Sequence, residues 1–105
     1  MIDETQKNEI LLQSLVMMFE TAAMQHLGKL KNPMTDKIER DLQQAQYAID
    51  MLDMLKEKTK NNCTEQEKRM LDSVVASLKL NYVDELAHEQ KEKIATVLEN
   101  NSPSD

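Results

Sequence analysis

Lys56-Glu57-Lys58-Thr59-Lys60-Asn61-Asn62-Cys63-Thr64-Glu65-Gln66-Glu67 is the stretch on which the fold turns. Its first half reads as a helix end. Three lysines stand where positive charge favours the dipole by about 0.3–1 kcal/mol. Asparagine is the best non-glycine residue for a left-handed cap, expected here at Asn61 or Asn62. Its second half reads as a helix start, because Thr64 and Glu67 have the spacing of a capping box, each side chain satisfying the other residue's free backbone N–H. A stop followed so closely by a start predicts an antiparallel αα-hairpin.

Upstream of that turn, Leu42, Ala45, Ile49 and Leu52 repeat at 3-4 spacing, joined by Ile38, Ala48 and Leu55. Glu39, Gln43, Gln46, Asp50, Asp53 and Glu57 take the opposite face. This is an amphipathic helix, expected to begin at Thr35 or Asp36 as N-cap, with Glu39 three residues beyond Asp36. Downstream, Met70, Leu71, Val74, Val75, Leu78 and Tyr82 continue a helix from Glu65, and Leu86, Gln90, Ile94, Val97 and Leu98 carry its rhythm toward Glu99. An earlier helix starts between Glu4 and Glu9 and shows Leu12, Leu15, Phe19, Ala22 and His26 in register. Gly28 can close it in the left-handed conformation, and Asn32-Pro33 blocks its continuation. The expected fold is all-α, with three main helices: an apolar first helix packed on an antiparallel αα-hairpin whose long third helix extends toward the C-terminus. Residues 1–99 are expected to form a single helical domain and residues 100–105 a disordered tail.

Composition excludes several alternatives. The chain has 105 residues, 40% of them hydrophobic, which is one domain's worth with enough apolar content for a core. One glycine and two prolines leave too little turn chemistry for a many-stranded sandwich or barrel. A single cysteine permits no internal disulfide framework and favours a reducing compartment. The net charge is -6, and residues 1–35, 36–62, 63–87 and 88–105 each carry more acids than bases. That balance argues against nucleic acid, whose affinity comes from Lys and Arg on phosphates. The longest apolar run, Leu15-Val16-Met17-Met18-Phe19, is far short of the roughly 20 residues of a membrane span. The acidic, polar start at Met1-Ile2-Asp3-Glu4 lacks a secretory pattern. No membrane partner and a cytoplasmic location are therefore expected.

Three blocks carry a family likeness: Gln25-His26-Leu27-Gly28 closing the first helix; Ala45 through Ile49-Asp50-Met51-Leu52 and Leu55 to Glu57-Lys58-Thr59-Lys60; and Thr64-Glu65 through Leu71 and Leu78 to Tyr82-Val83. In their order and spacing, residues from about Leu11 to Val83 resemble a small bacterial family of helical proteins, the domain of unknown function eighteen forty-four. The chain departs from it in having Asn61 where relatives usually have Gly, and Cys63 and Lys29 where they usually have apolar residues. The resemblance implies a helical fold and supplies no activity.

No residue pattern points to catalysis. His26 and His88 form no HxxxH or HExxH pair. His26 is expected half-buried at the helix end with a ring nitrogen on a backbone carbonyl, and His88 solvated among charges. Cys63 is read as a small filler of an otherwise apolar site. Asp50, Asp53 and Glu57 share one helical face but lack the Glu-x-x-His partners of a two-metal bundle site, so they are expected solvated, with Asp53 and Glu57 near Lys56 and Lys60. Eight methionines, among them Met17, Met18, Met24, Met51, Met54 and Met70, fill core and interface. No cofactor and no enzyme activity are expected.

The first helix raises a different question. Apolar residues fill 13 of the 21 positions from Ile10 to Leu30, too many for the roughly 100° stripe that one core covers. A homodimer or higher homo-oligomer is the simplest solution, with Leu11, Leu15, Met18, Phe19 and Ala22 as its leading contacts. The expected function is a self-associating helical interaction module that could also take a further, unidentified protein partner. The alternative is a small-ligand or metal-binding helical protein using the helix-one groove and His26.

Overall fold

Residues 3–100 are described by the computed structural model. Helix α1 spans Glu4–His26, α2 Leu42–Thr59 and α3 Glu65–Asn100, and no strand occurs among the described residues. Asp3 caps α1 with a capping box: its carboxylate accepts the Gln6 N–H at 2.8 Å, and the Gln6 side chain accepts the Asp3 N–H at 3.1 Å. At the other end Gly28 takes φ 78. Its N–H reaches the Gln25 carbonyl at 3.0 Å and the Lys29 N–H reaches Met24 at 2.9 Å, the paired bonds of a Schellman closure.

The second helix is capped at Asp41, five or six residues later than the Asp36 or Thr35 that the sequence suggested. Asn32, held extended by Pro33, captures the segment. Its carbonyl accepts the N–H groups of Thr35 at 3.2 Å and Asp36 at 2.7 Å, and its side chain accepts the Met34 N–H at 2.9 Å. Asp36 then turns left-handed, φ 57, which an N-cap does not do, and the Asn32 N–H bonds back to Lys37 at 2.8 Å. Glu39 bonds the Thr35 hydroxyl at 3.0 Å instead of closing a capping box on Asp36. The working N-cap is Asp41, whose carboxylate accepts the Gln44 N–H at 3.1 Å while its own N–H ties to the His26 carbonyl at 2.8 Å. Ile38, expected on the apolar face, lies in this connection and is 62% exposed.

At the hairpin the capping box forms as expected, with Thr64 N–H to Glu67 at 2.8 Å and Glu67 N–H to the Thr64 hydroxyl at 3.1 Å. The left-handed asparagine does not. Lys60 ends α2 right-handed, neither asparagine takes a positive φ, and the Asn62 N–H meets the otherwise free Thr59 carbonyl at 2.8 Å.

The core is built round α2. Leu42, Ala45, Ala48, Ile49 and Leu52 meet Val16, Ala23 and Leu27 from one side and Leu71, Val75 and Leu78 from the other. α1 and α3 touch each other least. The Cα envelope is 74 × 29 × 15 Å, a long and thin layer of helices. α3 is the longest element, and every residue from Gln90 to Asn100 is exposed. The tail expected from residue 100 lies, beyond helical Asn100, outside the described residues.

Candidate functional site

Helix α1 turns only part of its apolar surface inward. Val16 and Ala23 are buried, and Leu12, Phe19 and Met24 pack partly on the same core. Leu11, Leu15, Met18 and Ala22 follow at 4-3-4 spacing along another face. On it Leu11 is 55%, Leu15 38% and Met18 68% exposed, while Ala22 and, at the edge, Phe19 are half-buried. From Ile10 to Gly28 the only acid, lysine or arginine is Glu20, which lies about 200° round the helix from Met18. The outcome is an uncharged, apolar face whose Leu11, Leu15 and Met18 the described chain leaves open to solvent. Met17 and Met54 are also exposed, whereas Met24, Met51 and Met70 are half-buried.

A second feature escaped the sequence reading: Glu85 is a buried carboxylate on α3, 7% exposed. Lys29 Nζ meets one of its oxygens at 2.8 Å and Arg40 Nε the other at 3.1 Å. Arg40 turns its two terminal nitrogens onto Glu92 at 2.8 and 3.0 Å. The connection between α1 and α2 is thereby latched onto α3. The Lys29 bond holds the Glu85 carboxyl below the usual carboxylate range against the opposing effect of desolvation. Arg40 does the same to Glu92, and both cations are held above their ordinary values by these bonds. Lys29 and Arg40 stand 56 and 45 residues from Glu85, so no local spacing could announce the cluster.

His88 is not simply solvated. Its ring lies 3.6 Å from Glu85 and 3.9 Å from Asp84, and one ligand atom from each of the three falls within 4.8 Å of the others. As a cation site the group fits poorly, since both Glu85 oxygens already hold positive side chains and Lys29 also lies 3.7 Å from Asp84. The arrangement holds two chain segments together.

Other candidates stay apart. The His26 imidazole makes no hydrogen bond among the described residues; its backbone carbonyl does the work, accepting Asp41 N–H. The open cleft beside α1, about 400 Å³ and lined by Glu9, Ile10, Gln13, Thr64, Gln66, Glu67 and Met70, lies more than three helical turns from His26. The groove and the histidine therefore do not form one site. Cys63 is half-buried and borders an open cleft lined by Thr5, Asn8, Glu9, Leu12, Asn61, Asn62, Thr64 and Glu67. Of the three carboxylates, Glu57 holds Lys60 at 2.8 Å as expected. Asp53 reaches instead across the hairpin to Lys79 at 3.0 Å, because Lys56 is drawn to Asp72 at 3.2 Å. Asp50 accepts from Gln46 at 2.8 Å.

The family profile of the domain of unknown function DUF1844 matches residues 9–84, most of the chain. The protein belongs to this family. The match takes in α1 from Glu9, all of α2 and α3 up to Asp84, and it ends one residue before the latch carboxylate Glu85. No curated protein and no solved structure matches the chain. No described helix is long and apolar enough to cross a membrane.

Proposed function

We propose that this member of the family is a non-catalytic, cytoplasmic interaction module that self-associates through the exposed face of α1. The observation that carries the reading is the stripe Leu11, Leu15 and Met18, still open to solvent after the chain has packed its own core. Contiguous exposed apolar patches of this kind mark interfaces, and covering them releases about 25 cal/mol per Å² of apolar area. A second copy is a suitable occupant on electrostatic grounds. Two chains of net charge -6 repel over most of their surface, and the α1 face is where they can meet without opposing like charges. A two-fold axis across the stripe makes the same patch serve both partners.

Native mass spectrometry and light scattering at micromolar concentration test this directly. The expected result is an oligomer that Met18→Glu weakens about tenfold or more, a loss of at least 1.4 kcal/mol, with helicity by circular dichroism unchanged. A wild-type protein that remains a folded monomer through that range overturns the reading. Cross-linking in cells would then identify any further protein bound to the assembled module.

A further inference from the structure

Helix α3 carries two apolar faces, and the chain covers only one. Leu71, Val75 and Leu78 point into the core with Tyr82 and Leu86 partly packed behind them. Ala76, Leu80, Val83, Ala87 and Ile94 recur at helical spacing about 140° round from that line, at 100° per residue. Leu80 is 73%, Val83 64% and Ile94 59% exposed. The stripe runs on into the last turns of the helix, which project about 16 Å past Glu89 at 1.5 Å per residue with every side chain exposed.

The surface total shows that one interface does not account for this. The chain exposes 8041 Å². A compact monomer of 12.1 kDa exposes about 6,000 Å² by the size scaling of folded proteins. The excess is roughly 2,000 Å², whereas a standard interface buries about 800 Å² per partner. The α1 contact therefore leaves more than half of the excess uncovered, and the α3 face, with Leu80, Val83 and Ile94 exposed, is part of what remains.

We infer that α3 of a second copy covers this face, running antiparallel, with Ala87 near the two-fold axis. Charge selects both occupant and direction. Asp84 and Lys91 lie seven residues apart on the same rim of the stripe. Antiparallel pairing about Ala87 brings Asp84 of each copy beside Lys91 of the other. Asp84 already faces Lys29 at 3.7 Å and His88 at 3.9 Å, but its side chain is 58% exposed and has room for a further cation, and Lys91 makes no ion pair among the described residues. Parallel pairing would instead direct Asp84 toward Lys79, which already holds Asp53 at 3.0 Å. The small Ala87 side chain lets the axes approach to the short end of the usual 8–10 Å separation. This interface is independent of the α1 face, and two self-complementary contacts per chain close into a four-chain assembly of dihedral symmetry where their two-fold axes cross at right angles.

The test uses full-length protein in a Cys63→Ser background, with every variant checked for helicity. Ala87→Cys is expected to form a disulfide-linked dimer on mild oxidation, and Ala76→Cys, far from the axis in an antiparallel pair, is not. Cross-linking of both variants, or of neither, overturns the arrangement. Light scattering separates the two faces. Leu80→Glu with Ile94→Glu is expected to halve the mass of the wild-type assembly, Met18→Glu to halve it independently, and the three together to leave monomer. An unchanged mass for Leu80→Glu with Ile94→Glu, or a monomer from Met18→Glu alone, sinks the α3 interface. A monomer from Leu80→Glu with Ile94→Glu alone supports it and sinks the α1 reading instead.

Discussion

Glu85 concentrates the residue-scale physics of this molecule. Its burial is tolerable only because Lys29 and Arg40 each occupy one oxygen, and a buried carboxylate without partners would be strongly disfavoured. Glu85→Gln keeps the shape and removes the charge, leaving two partly covered cations short of their acceptor. The expected cost is about 1–3 kcal/mol, read as a lower urea midpoint with an unchanged slope. The same pairing sets a pH dependence. Because the folded-state value of Glu85 is depressed, its contribution is complete above the ordinary value of 4.5 and is lost as the pH falls below it. Thermal melts between pH 6 and pH 3 should therefore decline more steeply for the wild type than for Glu85→Gln; parallel declines would show that the latch contributes nothing. This site was illegible in the sequence for a physical reason. Its partners come from a connection whose conformation depends on Asn32-Pro33 and Asp36, and each of its charges taken alone resembles any solvated surface residue.

At the scale of elements, local signatures nominate helix ends and context elects them. Thr64-Glu67 forms the capping box its spacing announces, and Gly28 closes α1 as glycine should. Asp36-Glu39 has comparable spacing and fails, because Asn32 engages the backbone of Thr35 and Asp36 first. At the end of α2 neither Asn61 nor Asn62 takes a positive φ, and the Asn62 N–H instead closes the last turn on the Thr59 carbonyl. Three substitutions distinguish cap from turn. Asp41→Ala should cost about 1 kcal/mol, the usual value of an N-cap, whereas Asp36→Gly should cost nothing, since glycine takes a left-handed conformation more readily than aspartate does. Gly28→Ala should cost about 1–2 kcal/mol through its backbone conformation alone. The added methyl group would meet nothing closer than Arg40 Cβ at 3.7 Å, an ordinary contact. Chemical denaturation of the three variants ranks them, and an Asp36→Gly protein less stable than Asp41→Ala would return the start of α2 to Asp36.

At the scale of the whole molecule, a thin layer of three helices has too little interior for its apolar content. The surplus on α1 was legible as a count, because thirteen apolar residues in 21 positions exceed what one stripe can hold. The surplus on α3 was not. Its inner and outer stripes interleave, so Leu86, Ile94, Val97 and Leu98 read as one helical rhythm when they belong to different faces, and only burial separates them. The projecting end of α3 turns this into a measurable difference. Eleven residues from Gln90 to Asn100 are too few for an independent helix, which is marginal in water below about 12–15 residues. In a lone chain the ties of this segment include the Arg40–Glu92 pair, the Lys93–Glu89 pair and the Thr96 hydroxyl on the Glu92 carbonyl, while every side chain from Gln90 to Asn100 is exposed. Its amides should then exchange with solvent orders of magnitude faster than those of residues 71–82, which open only with the core. With a second α3 laid along it, the same amides acquire protection approaching that of the core. Hydrogen exchange on the wild type and on Leu80→Glu with Ile94→Glu should therefore diverge over residues 90–100 while agreeing over residues 71–82. Equal and rapid exchange of the projecting turns in both proteins would mean that solvent alone covers them.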